Sequence, residues 1–166
     1  MSKRRHRRLA ERENHAKGGE NRGYDAGKKI KGTKRHLLVD TLGLVLAVMV
    51  LPASVQDRDG GLLLLAQERG KWPRLTRIYA DGGYAGQLVP MIAVLCGWLL
   101  DIVKRSDDAR GFQVIRKRWI VERTFSWLDK CHRLSKDYER LQETSENIVR
   151  IAMINLMLHR LAPEAK

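Results

Sequence analysis

Lys34-Arg35-His36-Leu37-Leu38-Val39-Asp40-Thr41-Leu42-Gly43-Leu44-Val45-Leu46-Ala47-Val48-Met49-Val50-Leu51-Pro52 reads as two strands folded back on one another. Residues 34–40 and 44–51 are the strands, and the short connection through Gly43 is a hairpin signal. The second strand is apolar at every position, which predicts burial on both faces and a central place in a sheet. Pro52 ends it, because proline donates no ladder hydrogen bond. Asp40 is explained as a turn residue.

Downstream the pattern alternates. Residues 57–70 predict a helix capped by Asp57 or Asp59, packed through Leu62 to Leu65 and stopped by Gly70. Residues 75–81 predict a third strand and residues 98–103 a fourth. A helix over 87–97 between them turns Met91, Val94 and Leu95 inward. A long helix is expected from about Gln113 to about Lys130, and a last one from Thr144 or Ser145 to Arg160. The last helix is apolar almost all round, so it is expected to be buried against the sheet or against another copy. Strands alternating with helices predict an α/β fold, a mixed sheet with helices on both faces.

Residues 1–33 carry few hydrophobic side chains, and Gly18, Gly19, Gly23, Gly27 and Gly32 interrupt any helix. They are expected to form a basic, largely disordered arm, with the folded domain spanning 34–162. The chain has 166 residues and a net charge of +13, so a polyanion is the natural partner. The charge is concentrated: residues 1–36 carry +9 and residues 101–140 carry +4, whereas 37–100 are neutral. Cys96 and Cys131 are too few and too far apart for a zinc site, and reduced cysteines suit a cytoplasmic protein. The longest apolar run, Leu44 to Leu51, is too short to span a bilayer, and the N-terminus lacks the apolar segment of a secretory signal.

Two acids stand out. Asp81 ends the strand-like run Arg77-Ile78-Tyr79-Ala80 and precedes Gly82-Gly83. In open α/β sheets the carboxyl ends of strands are where ligands bind, and glycines there let a bulky phosphate approach. Asp-Gly is also ordinary turn punctuation. Glu122 lies three positions from both Trp119 and Phe125, so helical spacing aims it at the stripe formed with Ile115. A carboxylate on such a stripe is costly unless paired or bound to metal. It either pairs with Arg118 four residues earlier or, with Asp81, holds Mg²⁺, which takes few protein ligands and keeps waters and substrate oxygens. Two such ions would promote phosphodiester cleavage.

Three segments carry a family resemblance: Gly23-Tyr24-Asp25-Ala26-Gly27-Lys28-Lys29-Ile30-Lys31-Gly32-Thr33-Lys34-Arg35-His36 with the strand that follows; Ile78-Tyr79-Ala80-Asp81-Gly82-Gly83-Tyr84; and Arg118-Trp119-Ile120-Val121-Glu122-Arg123-Thr124-Phe125-Ser126-Trp127-Leu128, continuing through Arg133-Leu134-Ser135-Lys136-Asp137-Tyr138-Glu139. In order, spacing and context the chain resembles a DDE-type bacterial insertion-sequence transposase from about residue 21 to 162. The resemblance implies a ribonuclease H-like fold and Mg²⁺- or Mn²⁺-dependent DNA strand cleavage and transfer. It makes Asp81 the second catalytic acid, Glu122 the third, and both of them metal ligands. DNA contacts are expected at Lys34, Arg35, Arg118, Arg123, Lys130 and Arg133.

There are departures. Ile115 stands where the family pattern has tyrosine, and Asp129 where it has lysine, with Lys130 one place late. No apolar strand ending in Asp precedes Gly23, so the sheet is expected to lack its first strand and first catalytic acid, unless Asp25 or Asp40 replaces it. The expected behaviour is that of an impaired transposase domain with little cleavage activity alone. The alternative is a non-catalytic remnant that binds DNA or a partner. Pairing with a full-length transposase, or a homo-oligomer, is also expected.

Overall fold

The computed structural model describes residues 22–27, 29–103, 118–135 and 138–162. Strands β1 (Gly23–Asp25), β2 (Ile30–Val39) and β3 (Val45–Pro52) are followed by helix α1 (Asp57–Gln67), strand β4 (Arg77–Ala80), helix α2 (Leu88–Cys96), strand β5 (Leu99–Ile102), helix α3 (Arg118–Asp129) and helix α4 (Gln142–Leu161). Single 3-10 turns sit at Gly82–Tyr84 and His132–Leu134.

The predicted hairpin is the spine of the molecule. β2 and β3 pair antiparallel from Thr33↔Pro52 to Leu38↔Ala47, with an irregularity between Leu38 and Val39. Asp40 closes the turn: its carboxylate accepts from the amides of Leu42 and Leu44, both at 2.8 Å. Gly43 adopts φ +82°, a conformation that costs a side-chain-bearing residue. The ordered structure begins earlier than Lys34, because the short strand β1 pairs antiparallel with residues 30–32 of β2. The expected arm therefore contributes a strand; residues 1–21 lie outside the described residues.

One mixed sheet was the expectation, and the structure has two sheets instead. β1-β2-β3 is antiparallel, and β4-β5 is a separate parallel pair in register Arg77↔Leu99 to Ala80↔Ile102. Among the described residues no strand joins them.

Alternation along the hairpin distributes side chains to two cores. Leu38 and Ala47 pack with Leu64, Leu65, Ile78, Leu88, Ile92, Trp98 and Leu100 on the side of α1, α2, β4 and β5. Val48 packs with Leu128, Leu134, Val149 and Met153 on the side of α3 and α4. The hairpin is thus covered on both faces, as its continuous apolar character requires.

Two helix faces differ from expectation. α2 buries Leu88 and Ile92 and leaves Met91, Val94 and Leu95 exposed. Its inward stripe is the i, i+4 pair that meets Leu64 and Leu65. α1 has Gln56 at its N-cap with no side-chain capping bond, while Asp57 and Asp59 lie in its first turn. There their negative charge favours the helix N-terminus, and Asp57 is free to face β2. No helix of the described residues is long and apolar enough to cross a membrane.

Candidate functional site

Asp81 follows the last residue of β4 and caps the 3-10 turn, its Oδ1 accepting from the Gly83 amide at 2.9 Å. A Cβ added at Gly83 would lie 3.1 Å from both Asp81 Oδ1 and Asp57 Oδ2. The two carboxylates therefore face the same bare glycine. Asp57 is also paired: Lys34 Nζ lies 3.1 Å from its Oδ1 and 2.9 Å from Asp25 Oδ2, and donates to the Val55 carbonyl at 3.0 Å. Lys34 points here because it shares a face of β2 with His36 and Leu38, two and four residues on.

The turn after Asp81 is bolted to β2. Tyr84 Oη and His36 Nδ1 share a hydrogen bond of 2.9 Å, with the rings edge to face. His36 is buried. Both rings depend on the glycines of α1: a Cβ at Gly60 would overlap the His36 imidazole, and one at Gly61 would lie 2.7 Å from Tyr84 Cδ1.

Electrostatics follow from this packing. Burial, reinforced by Asp57 and Asp81, pushes the Tyr84 phenol well above its ordinary value. For Lys34, burial alone would lower the pKa, but Asp25 and Asp57 outweigh it and raise it. In both cases the folded form holds its proton more tightly than the unfolded chain. Their contribution to stability is complete at pH values below about 10 and is lost as pH rises through the folded values. Thermal unfolding followed by circular dichroism is expected to show a melting temperature that falls from about pH 10 upward, with a shallower fall in Tyr84→Phe.

Glu122 lies on α3. α3 docks on the turn of the hairpin: Thr124 Oγ1, fully buried, donates to the Gly43 carbonyl at 2.7 Å, and Arg123 Nη2 donates to the Leu42 carbonyl at 2.8 Å. The buried stripe of the described helix is Thr124 and Leu128, not the Trp119–Phe125 face; Trp119 is 42% exposed and Glu122 is exposed. Ile115 lies outside the described residues. Glu122 is exposed on the helix whose next two residues dock on the hairpin turn, and Asp81 follows β4 and faces Gly83 together with Asp57. Asp25 pairs with Lys34, and Asp40 belongs to the turn.

The basic candidates are held by internal partners. Lys34 bridges Asp25 and Asp57. Arg35 Nη1 donates to the Leu134 carbonyl at 2.9 Å. The Arg123 guanidinium stacks 4.3 Å from the Trp119 ring centroid and 4.7 Å from that of Trp127. Arg133 pairs with Glu139 at 3.1 Å. Lys130 is exposed, and the side chain of Arg118 lies outside the described residues.

Asp81 and Asp57 match the donor type of a hard divalent cation, which accepts one or two carboxylates and completes its shell with water. Among the described residues no group of three or more His, Cys, Asp or Glu side chains could hold a metal ion. Cys96 and Cys131 are both free thiols. Sequence reasoning missed Asp57 as a neighbour of Asp81; its place in the first turn of a helix that follows β3 is the signal that could have found it.

Comparison with known proteins settles the lineage. A family model described as a transposase DDE domain matches residues 4–157. The chain belongs to the DDE transposase family. The match reaches back through the basic start, which is therefore not foreign to the family. A putative transposase for insertion sequence element IS402 from Burkholderia cepacia is 32% identical over 118 residues, covering 66% of this chain and 54% of the relative. The chain spans about half the length of that relative. No solved structure matches.

Proposed function

We propose that this chain is a ribonuclease H-like DDE transposase domain that binds DNA in transposition and whose strand-cleaving centre is incomplete. The observation that carries this reading is the family match over residues 4–157, with Asp81 at the carboxyl end of β4 facing the same glycine as Asp57. Asp81 and Glu122 are the proposed catalytic acids and metal ligands. They would hold a Mg²⁺ or Mn²⁺ ion, and such an ion would supply assistance to phosphodiester cleavage. The split into two sheets among the described residues supports an incomplete centre, since a mixed sheet short of one strand between β2 and β4 leaves two such pieces. An acid carried by that strand would be absent with it.

DNA is the proposed partner. Phosphate contacts are assigned to Lys34, Arg35, Arg118, Arg123, Lys130 and Arg133. For the residues with internal partners, phosphate competes with a carboxylate or a carbonyl already in place. Phosphate neutralisation makes affinity fall steeply with salt. Fluorescence anisotropy with a labelled duplex is expected to show about a hundredfold weaker binding at 200 mM than at 50 mM salt, the loss that about four phosphate contacts produce. Affinity independent of salt would contradict the assignment.

A further inference from the structure

The carboxylate of Asp57 is divided between two neighbours. Its Oδ1 lies 3.1 Å from Lys34 Nζ, and its Oδ2 faces Gly83 together with Asp81 Oδ1. A Cβ on Gly83 would be 3.1 Å from each of those two oxygens, so they are no more than twice that distance apart. At Gly82 a Cβ would meet nothing within 4 Å, so the space beside Asp81 is open. Two carboxylate oxygens over a bare stretch of backbone, with room left for water, suit a hard divalent cation that takes few protein ligands.

Lys34 sets the charge of this corner. Its side chain is 17% exposed, and its ammonium meets Asp25, Asp57 and the Val55 carbonyl at 2.9, 3.1 and 3.0 Å. The two acids raise its pKa in spite of burial, so the ammonium stays charged at neutral pH. It already neutralises part of the charge on Asp57. A positive charge fixed one carboxylate away from a second cation also repels that cation.

We propose that Asp57 joins Asp81 in holding the divalent cation, and that Lys34 is a positioning residue that fixes Asp57 by one oxygen while keeping cation affinity low. The inference rests on the reading of Asp81 as a metal ligand, and adds to it an acid and a counter-charge. Three elements build the arrangement: β2 carries Lys34, the first turn of α1 carries Asp57, and Asp81 follows β4.

The test is titration of the full chain with Mn²⁺ alone, the free ion being followed by electron paramagnetic resonance. Lys34→Met is expected to bind Mn²⁺ about tenfold more tightly than the parent, since a like charge next to the site is removed. Loss of a merely structural ion pair would not tighten binding. Lys34→Arg keeps the charge and is expected to bind like the parent. Asp57→Asn and Asp81→Asn are each expected to bind about tenfold more weakly, each having lost a ligand. Asn is isosteric with Asp and Asp57 is 32% exposed, so Asp57→Asn keeps the test open should Lys34→Met fail to fold. Weaker binding in Asp81→Asn with no change in Asp57→Asn or in Lys34→Met would overturn this inference alone. Mn²⁺ binding that is indifferent to Asp81→Asn, or absent from every form, would overturn the reading of Asp81 as a metal ligand and this inference with it.

Discussion

Gly60→Ala is expected to destabilise the protein by about 2–6 kcal/mol. The added methyl overlaps the imidazole of His36, which is 3% exposed and has no open space to move into. Overpacking of this kind costs about 1–3 kcal/mol. Displacing the ring also breaks its 2.9 Å hydrogen bond to Tyr84 in a buried setting, at about another 1–3 kcal/mol. Against a typical stability of about 5–15 kcal/mol the sum is a large fraction. Urea unfolding checks it, with the midpoint expected to fall and the slope to stay constant. The consequence reaches the candidate site, because Tyr84 closes the turn that begins at Asp81. A Gly60→Ala midpoint within error of the parent would mean that His36 is not confined as described.

Gly43→Ala is the second large effect, expected at about 2–4 kcal/mol. Alanine at φ +82° is strained by about 1–3 kcal/mol. Its Cβ would also lie 2.8 Å from Thr124 Oγ1, 3.1 Å from Trp127 Cζ3 and 3.2 Å from Arg123 Nη2. These are the groups through which α3 sits on the hairpin. The substitution therefore loosens the helix that carries Glu122 while leaving the Asp81 turn alone. Hydrogen exchange is the discriminating measurement: protection is expected to drop in α3 and the hairpin turn, with β4 and α2 retaining theirs. A uniform loss across all elements would contradict local docking.

Much of this fold was legible in the sequence. Lys34 to Pro52 announced a hairpin through an unbroken apolar strand and a glycine where the backbone turns left-handed. Asp40 was readable as the turn residue that it is. Relations between elements were not legible. Lys34 looked like one more phosphate contact in a basic stretch, and nothing in its spacing revealed that Asp25 and Asp57 would close on it from two other elements. Glu122 seemed to face the core because Trp119 and Phe125 are the larger apolar side chains of its helix. The helix instead seats itself through Thr124, whose hydroxyl satisfies a backbone carbonyl at the turn, and that choice rotates Glu122 outward. α2 was misread for a similar reason: its sequence is apolar on most sides, so periodicity alone could not say which side meets Leu64 and Leu65. The exposed side of α4, with Ile151, Ile154 and Leu158, was foreshadowed by a helix apolar almost all round, but only the fold distinguishes the face that is used from the one left over.

The central claim is the proposal that this DDE-family chain lacks a complete strand-cleaving centre. It is tested most directly by incubating the full chain with supercoiled plasmid in Mg²⁺ and, separately, in Mn²⁺, and measuring nicked and linear product against a metal-free control. The account predicts no product above that control. Efficient nicking that is abolished by Asp81→Ala and by Glu122→Ala alike would contradict it.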